Sequence, residues 1–101
     1  MKIYYVYIVQ CIDNSYYTGV TNDVNRRVVE HNSGEDTKAY TYRKRPVKLI
    51  WFEYYNDINQ AIEKEKQIKG WSRKKKEALI NDDFNRLVEL SNLKNNSKSK
   101  Y

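Results

Sequence analysis

β-branched and aromatic residues fill the chain from Ile3 to Ile12, stop at Asp13-Asn14-Ser15, and resume from Tyr16 to Val20. This pattern commits the start of the chain to a β-hairpin, because such side chains fit a pleated surface while Asp, Asn and Ser favour turns. The turn also decides which side chains meet. An odd-length turn such as 12–14 pairs Val9 with Tyr17, sets Tyr7 diagonally beside Tyr17 on one face, and puts Gly19 opposite Tyr7; an even-length turn separates the two tyrosines. A glycine inside a strand marks the close approach of a ligand or another backbone. A pair of cross-strand core tyrosines beside a bulge satisfies the same pattern without any function.

Downstream, Thr21-Asn22-Asp23 supplies caps for a helix over 22–32, with Val24, Val28 and Val29 as its apolar face and Ser33-Gly34 at its end. Residues 35–45 show no apolar periodicity, and Pro46 opens a third strand over 47–55. Asp57 and Gln60 make a capping box for a second helix carrying Ile58, Ala61, Ile62 and Ile68, and Gly70 ends it. Ser72 caps a third helix through Asn81, and Asp82-Asp83 precedes a short last one with Phe84, Leu87 and Val88 on one face. The order predicts an α+β fold, a small antiparallel sheet covered by helices. With 101 residues and a 40% hydrophobic fraction, one domain over 1–91 is expected. A polar tail rich in Asn, Ser and Lys over 92–101 is expected to be disordered.

Nineteen Lys and Arg against thirteen Asp and Glu leave a formal charge of +6. That excess favours a polyanionic partner, nucleic acid before anionic membrane, since no apolar run approaches the roughly 20 residues needed to span a bilayer. A lone Cys11 precludes an intrachain disulfide and fits a reducing cytoplasm; no secretory signal is expected at the amino terminus.

Several residues stand out chemically. Arg27 and His31 share a helix face at i, i+4, where a guanidinium can grip a phosphate and an imidazole can relay a proton. An ordinary core-edge histidine fits equally. Arg26 points about 100° away and meets solvent or a more distant phosphate. Glu65 stands on the apolar stripe of the second helix, where a carboxylate breaks the pattern; Mg²⁺ binding and a salt bridge to a nearby cation both account for it. Two basic clusters follow, one with Arg43, Lys44 and Arg45, the other running unbroken from Arg73 through Lys74 and Lys75 to Lys76. Cations in the first turn of a helix oppose its dipole, which is understandable if an external anion binds there. Tyr40, Tyr42 and Trp71 are interleaved with these clusters and are candidates for stacking on bases, Trp71 equally for packing beneath the third helix.

Tyr5-Val6-Tyr7, then Tyr17-Thr18-Gly19, then Arg27 and His31, resemble the defining motifs of the GIY-YIG nuclease superfamily. Glu65 continues the match. The stretch from Glu65 to Lys76, including Lys69, followed by Leu79-Ile80, resembles the single-domain bacterial branch of uncharacterised proteins related to the excision-repair nuclease subunit. The resemblance covers about residues 2–90. It implies a three-stranded antiparallel sheet flanked by helices and one divalent metal, Mg²⁺ or Mn²⁺, held by Glu65. It further implies that Tyr7 and Tyr17 line the reaction centre, that one of them helps take a proton from the attacking water, and that Arg27 holds the scissile phosphate. The implied activity is endonucleolytic, on DNA in preference to RNA, in a setting such as repair or recombination, with no membrane partner. The first tripeptide lacks the Gly and Ile of the family name, leaving Tyr5 as an extra polar ring near the site. Val20 stands where several members carry Lys, which removes one cation able to lower a tyrosine pKa.

Overall fold

The computed structural model describes residues 2–99, with side chains described through Asn92. Strands β1 (Tyr4–Gln10) and β2 (Tyr16–Thr21) form the hairpin, and β3 (Lys48–Tyr55) pairs with the free edge of β1, giving a three-stranded antiparallel sheet in the order β2-β1-β3. The odd register holds: Val9 pairs with Tyr17 and Tyr7 with Gly19. Its turn is fastened by Asp13, whose Oδ1 accepts from the Ser15 amide at 3.0 Å and from its hydroxyl at 2.6 Å. Asn14 adopts φ 69°, a left-handed conformation that Asn tolerates better than most residues. Between β1 and β3 the ladder slips, Ile8 pairing with Trp51 but Val9 with Leu49. Such a bulge leaves no mark in the spacing of apolar residues.

Because β1 is central, Val6, Tyr7, Ile8 and Val9 are all buried, including residues on both faces of the sheet. Tyr7, Val9 and Cys11 form one core with Val47, joined by Tyr17, Val28 and Leu49. Helix α1 (Val24–Ser33) packs on β1; Asp23 caps it by accepting from the Arg26 amide, and Gly34 closes it at φ 75°. A Cβ on Gly34 would meet only the flexible end of the Arg45 side chain, so it is the left-handed backbone that calls for glycine here. The inward stripe of α1 is buried Val24 and His31 with half-buried Val28 between them, at i, i+7 and i+4; Val29, expected on this face, is 67% exposed because it lies about 140° around from Val24. The segment over 35–45 contains a short 3₁₀ turn at Tyr42–Lys44.

Helix α2 (Ile58–Lys69) packs against all three strands through buried Ala61 and Ile68. Ile58 and Ile62 are only partly covered. The chain divides into two compact units, the first ending at Lys69 and the second beginning at Gly70. The second is a helical hairpin of α3 (Arg73–Ile80) and α4 (Phe84–Ser99). Ser72 caps α3 as anticipated, accepting from the Lys75 amide at 3.2 Å. Asp82 turns the corner at φ 54°, and Asp83 accepts from the Arg86 amide at the start of α4. Phe84 and Val88, expected to be apolar contacts of this last helix, are exposed, while Leu87 and Leu90 are half-covered. The backbone of α4 crosses the tail boundary expected at 92 and ends at Ser99; tail residues 100 and 101 lie outside the described residues.

Candidate active site

The site grows from one packing necessity. Tyr7 sits on central β1, and its ring leans across β2 over Gly19, where any Cβ would fall 2.5 Å from the Tyr7 hydroxyl and 2.6 Å from Cζ. Gly19 therefore admits Tyr7 itself. The close approach expected at this strand glycine, of a ligand or a second backbone, is that of the Tyr7 side chain.

Laid over Gly19, the Tyr7 hydroxyl reaches His31 Nε2 at 2.9 Å, and His31 Nδ1 reaches Thr41 Oγ1 at 2.8 Å, all three groups being buried. Burial pushes the Tyr7 pKa up to about 12 and holds that of His31 below its ordinary value. Each group is thus neutral near pH 7. A protonated Tyr7 donates to Nε2, so the imidazole carries its proton on Nδ1 and donates to Thr41. Tyr17, diagonal to Tyr7 as the odd register requires, packs its ring 6.4 Å from that of Tyr7 and edge-on to His31 at 5.3 Å. Tyr40 stacks on Tyr17 at 5.8 Å.

Arg27 lies beside Tyr7 and pulls its pKa down, but desolvation outweighs it. A neighbouring guanidinium alone does not make this tyrosine a phenolate. The Arg27 Nη1 is 3.2 Å from Glu30 Oε1, which also draws Arg26 to 3.8 Å. With 56% of its side chain exposed, Arg26 also bonds Asn22 at 2.5 Å, consistent with an outward-pointing cation. Arg27, His31 and Thr41 share a cavity of about 160 Å³ with Glu30, Glu35 and Asp36. Tyr5 is directed elsewhere, into a cavity of about 260 Å³ with Phe52, Leu49 and the start of α1.

Glu65 is four-fifths covered, with 19% of its side chain exposed, and its Oε2 lies 3.4 Å from Lys69 Nζ. That ammonium stands 5.7 Å from the Tyr17 ring centre and so links α2 to the tyrosine pair. Among the described residues no group of three or more His, Cys, Asp or Glu is arranged to hold a metal ion. The donor set fits an ion such as Mg²⁺, which accepts one hard carboxylate oxygen and completes its shell with water and phosphate oxygen.

The basic clusters divide. Arg43 and Lys74 are exposed and Lys76 is half-covered. Lys44 is engaged with Asp13 at 3.2 Å and the Tyr40 hydroxyl at 2.8 Å, and hydrogen bonds from Ser15, aided by Lys44, hold Asp13 down at about 2. Arg45 donates to the Tyr42 carbonyl at 2.7 Å and lies over that ring. Both cations brace the loop that carries Tyr40 and Thr41. Arg73 pairs with Glu77 at 3.7 Å. Lys75, expected among exposed cations at the start of α3, is instead buried against Trp71, its Nζ 4.4 Å from the ring centre. A long aliphatic stem makes such packing favourable, and it accounts for part of the basic run without any external anion. Thr41 and Glu30 carry no mark in the sequence as site residues, and Tyr40, singled out there for stacking on bases, stacks on Tyr17. Thr41 and Tyr40 both come from the stretch without periodicity.

A family described as GIY-YIG catalytic domain matches residues 3–78. A UPF0213 protein of Haloquadratum walsbyi is 48% identical over 79 residues, covering 78% of this chain and 88% of that relative. The solution NMR structure of a UPF0213 protein from Bacillus halodurans is 39% identical, covers 78% of this chain and 83% of its own, and superposes with a TM-score of 0.52. A second solution structure, from E. faecalis, is 36% identical with a TM-score of 0.57, covering 81% and 86% of the two chains. Among the described residues, no helix is long and apolar enough to cross a membrane.

Proposed function

The chain belongs to the GIY-YIG catalytic-domain family, and on that premise we propose that it is a metal-dependent endonuclease hydrolysing phosphodiester bonds in DNA. The observation that carries the reading is the buried Tyr7–His31–Thr41 chain beside Arg27, because it gives one hydroxyl both a proton acceptor and a neighbouring cation. Arg27 would hold a phosphate oxygen and the charge that grows on it in the transition state. Tyr7 can take a proton from an attacking water only after passing its own to His31 Nε2. In the free protein that transfer is steeply uphill, from a group near 12 to one held below its ordinary value. A divalent cation on Glu65, Mg²⁺ or Mn²⁺, would supply positive charge to the phosphate and the leaving oxygen. Tyr17 walls the centre and orients the imidazole. Arg26, Arg43, Lys74 and Lys76 are the cations we assign to more distant phosphates, with repair or recombination as the setting.

One observation favours a second reading, a nucleic-acid-binding module without catalysis: burial keeps the Tyr7 hydroxyl protonated in the free site. The two are separated by incubating labelled nicked, branched and single-stranded DNA with Mn²⁺ and the wild-type, Arg27→Ala and Glu65→Gln proteins. The nuclease reading predicts cleavage by the wild type and a loss of about 10²-fold or more in each variant. Cleavage unchanged in both variants refutes the site. Salt-sensitive binding with no cutting of any substrate supports the module.

A further inference from the structure

We propose that Lys69 is the resident counter-ion of Glu65: a tethered ammonium that occupies the carboxylate when no metal is bound and is released toward substrate phosphate when a divalent ion takes its place. The inference rests on the reading of Glu65 as the metal-holding residue.

Glu65 and Lys69 lie one turn apart at the end of α2, with the acid toward the amino terminus, the orientation in which such pairs are most favourable. Their exposures differ, 19% for the carboxylate side chain and 49% for the lysine. The acid is held by its surroundings, and the ammonium reaches it from the solvent side. The same Nζ lies over the Tyr17 ring, so Lys69 spans the space between the carboxylate and the aromatic wall of the site. Lys69 is the cation paired with Glu65, whereas Arg27 pairs with Glu30 and Lys44 with Asp13.

An ammonium and a divalent ion on one carboxylate oxygen would stand a few ångströms apart and repel strongly. When the ion binds, the more exposed and more flexible partner moves. Lys69 then carries an unpaired charge at the edge of the site, where a bound phosphodiester offers the nearest new partner.

The test is Mn²⁺ binding without DNA, followed by the loss of the free-ion signal in electron paramagnetic resonance, for wild type, Lys69→Met and Glu65→Gln, with thermal melts to establish folding. Lys69→Met should bind Mn²⁺ about two- to fivefold tighter, the range expected from removing an ion pair of this exposure. Glu65→Gln should lose the site. Unchanged or weaker binding in Lys69→Met, with binding lost in Glu65→Gln, overturns the counter-ion role and leaves the metal reading standing. Wild-type binding by Glu65→Gln overturns both. The release is read separately from the salt dependence of DNA binding. Lys69→Met should make the slope shallower by about one with Ca²⁺ present and leave it unchanged without metal. An equal change in both conditions contradicts release. Should Lys69→Met fold poorly, Lys69→Gln serves in both measurements.

Discussion

Replacing Gly19 by alanine adds one carbon in a place where Tyr7 has left none. That carbon would lie 2.5 Å from the Tyr7 hydroxyl and 2.6 Å from Cζ, and Tyr7 is fully buried beneath α1, so the ring cannot swing out into solvent. Overpacking of this kind costs about 1–3 kcal/mol. A shifted Tyr7 also abandons His31 Nε2, and a buried acceptor left without a donor costs about 1–3 kcal/mol more. Against this stands a gain of about 0.5–1 kcal/mol from replacing a glycine within a strand. The net loss is about 1–5 kcal/mol, which should lower the urea midpoint by roughly 1 M or more at the middle of that range. The control is the same substitution in a Tyr7→Leu background, where the obstructing ring is gone. There, Gly19→Ala should cost little, giving a coupling of at least about 1–2 kcal/mol in the double-mutant cycle. Equal losses in the two backgrounds, or none in either, would show that Gly19 does not exist to admit Tyr7.

The folded-state pKa of His31 lies below its unfolded value near 6.5, so its contribution to stability is complete above that pH and is lost as pH falls through the depressed value; urea melts across the acid range should show this, and His31→Gln should flatten it. Tyr7 behaves oppositely: with a folded pKa of about 12 against an ordinary 10.0, it stabilises fully below pH 10, and on the order of 2–3 kcal/mol is lost as pH rises toward 12, a limb that Tyr7→Phe should remove. The Thr18 hydroxyl is buried without a hydrogen-bond partner among the described residues. Thr18→Val should therefore raise stability by about 1 kcal/mol in a denaturant melt. Lys75→Ala should lower stability by about 1 kcal/mol by uncovering Trp71, whereas Lys74→Ala should leave stability unchanged and reduce the salt dependence of DNA binding.

How much of this was legible beforehand depends on whether a feature is local. The hairpin register follows from turn length and strand period, and it carries Tyr7, Tyr17 and Gly19 into one neighbourhood. Helix periodicity likewise puts Arg27 and His31 on one face and marks Glu65 as an anomaly in α2. Thr41 is different. It meets His31 only because the loop over 35–45 folds back and is braced by Lys44 and Arg45, and nothing in the spacing of those residues reports a long-range contact. The bulge between Ile8 and Val9 is invisible for the same reason. Charge was the least reliable guide, since a run of cations does not say which stem finds an aromatic ring. Lys75 found Trp71 and left the surface. The direction of the Tyr7 pKa was also hidden, because the gain from Arg27 can be guessed from helix spacing, whereas the larger cost of burial depends on how completely α1 covers the ring.

The central claim is that Tyr7, Tyr17, Arg27 and Glu65 form one metal-assisted centre. Paramagnetic broadening by substoichiometric Mn²⁺ in the amide NMR spectrum tests it most directly, because broadening falls off steeply with distance from the bound ion. The account predicts that the amides of Glu65 and Lys69 broaden first, with those of Tyr17 and Tyr7 following, and that Glu65→Gln abolishes the pattern. Broadening centred on Glu30, Glu35 and Asp36, the carboxylates of the cavity beside Arg27, and unchanged in Glu65→Gln, would contradict it.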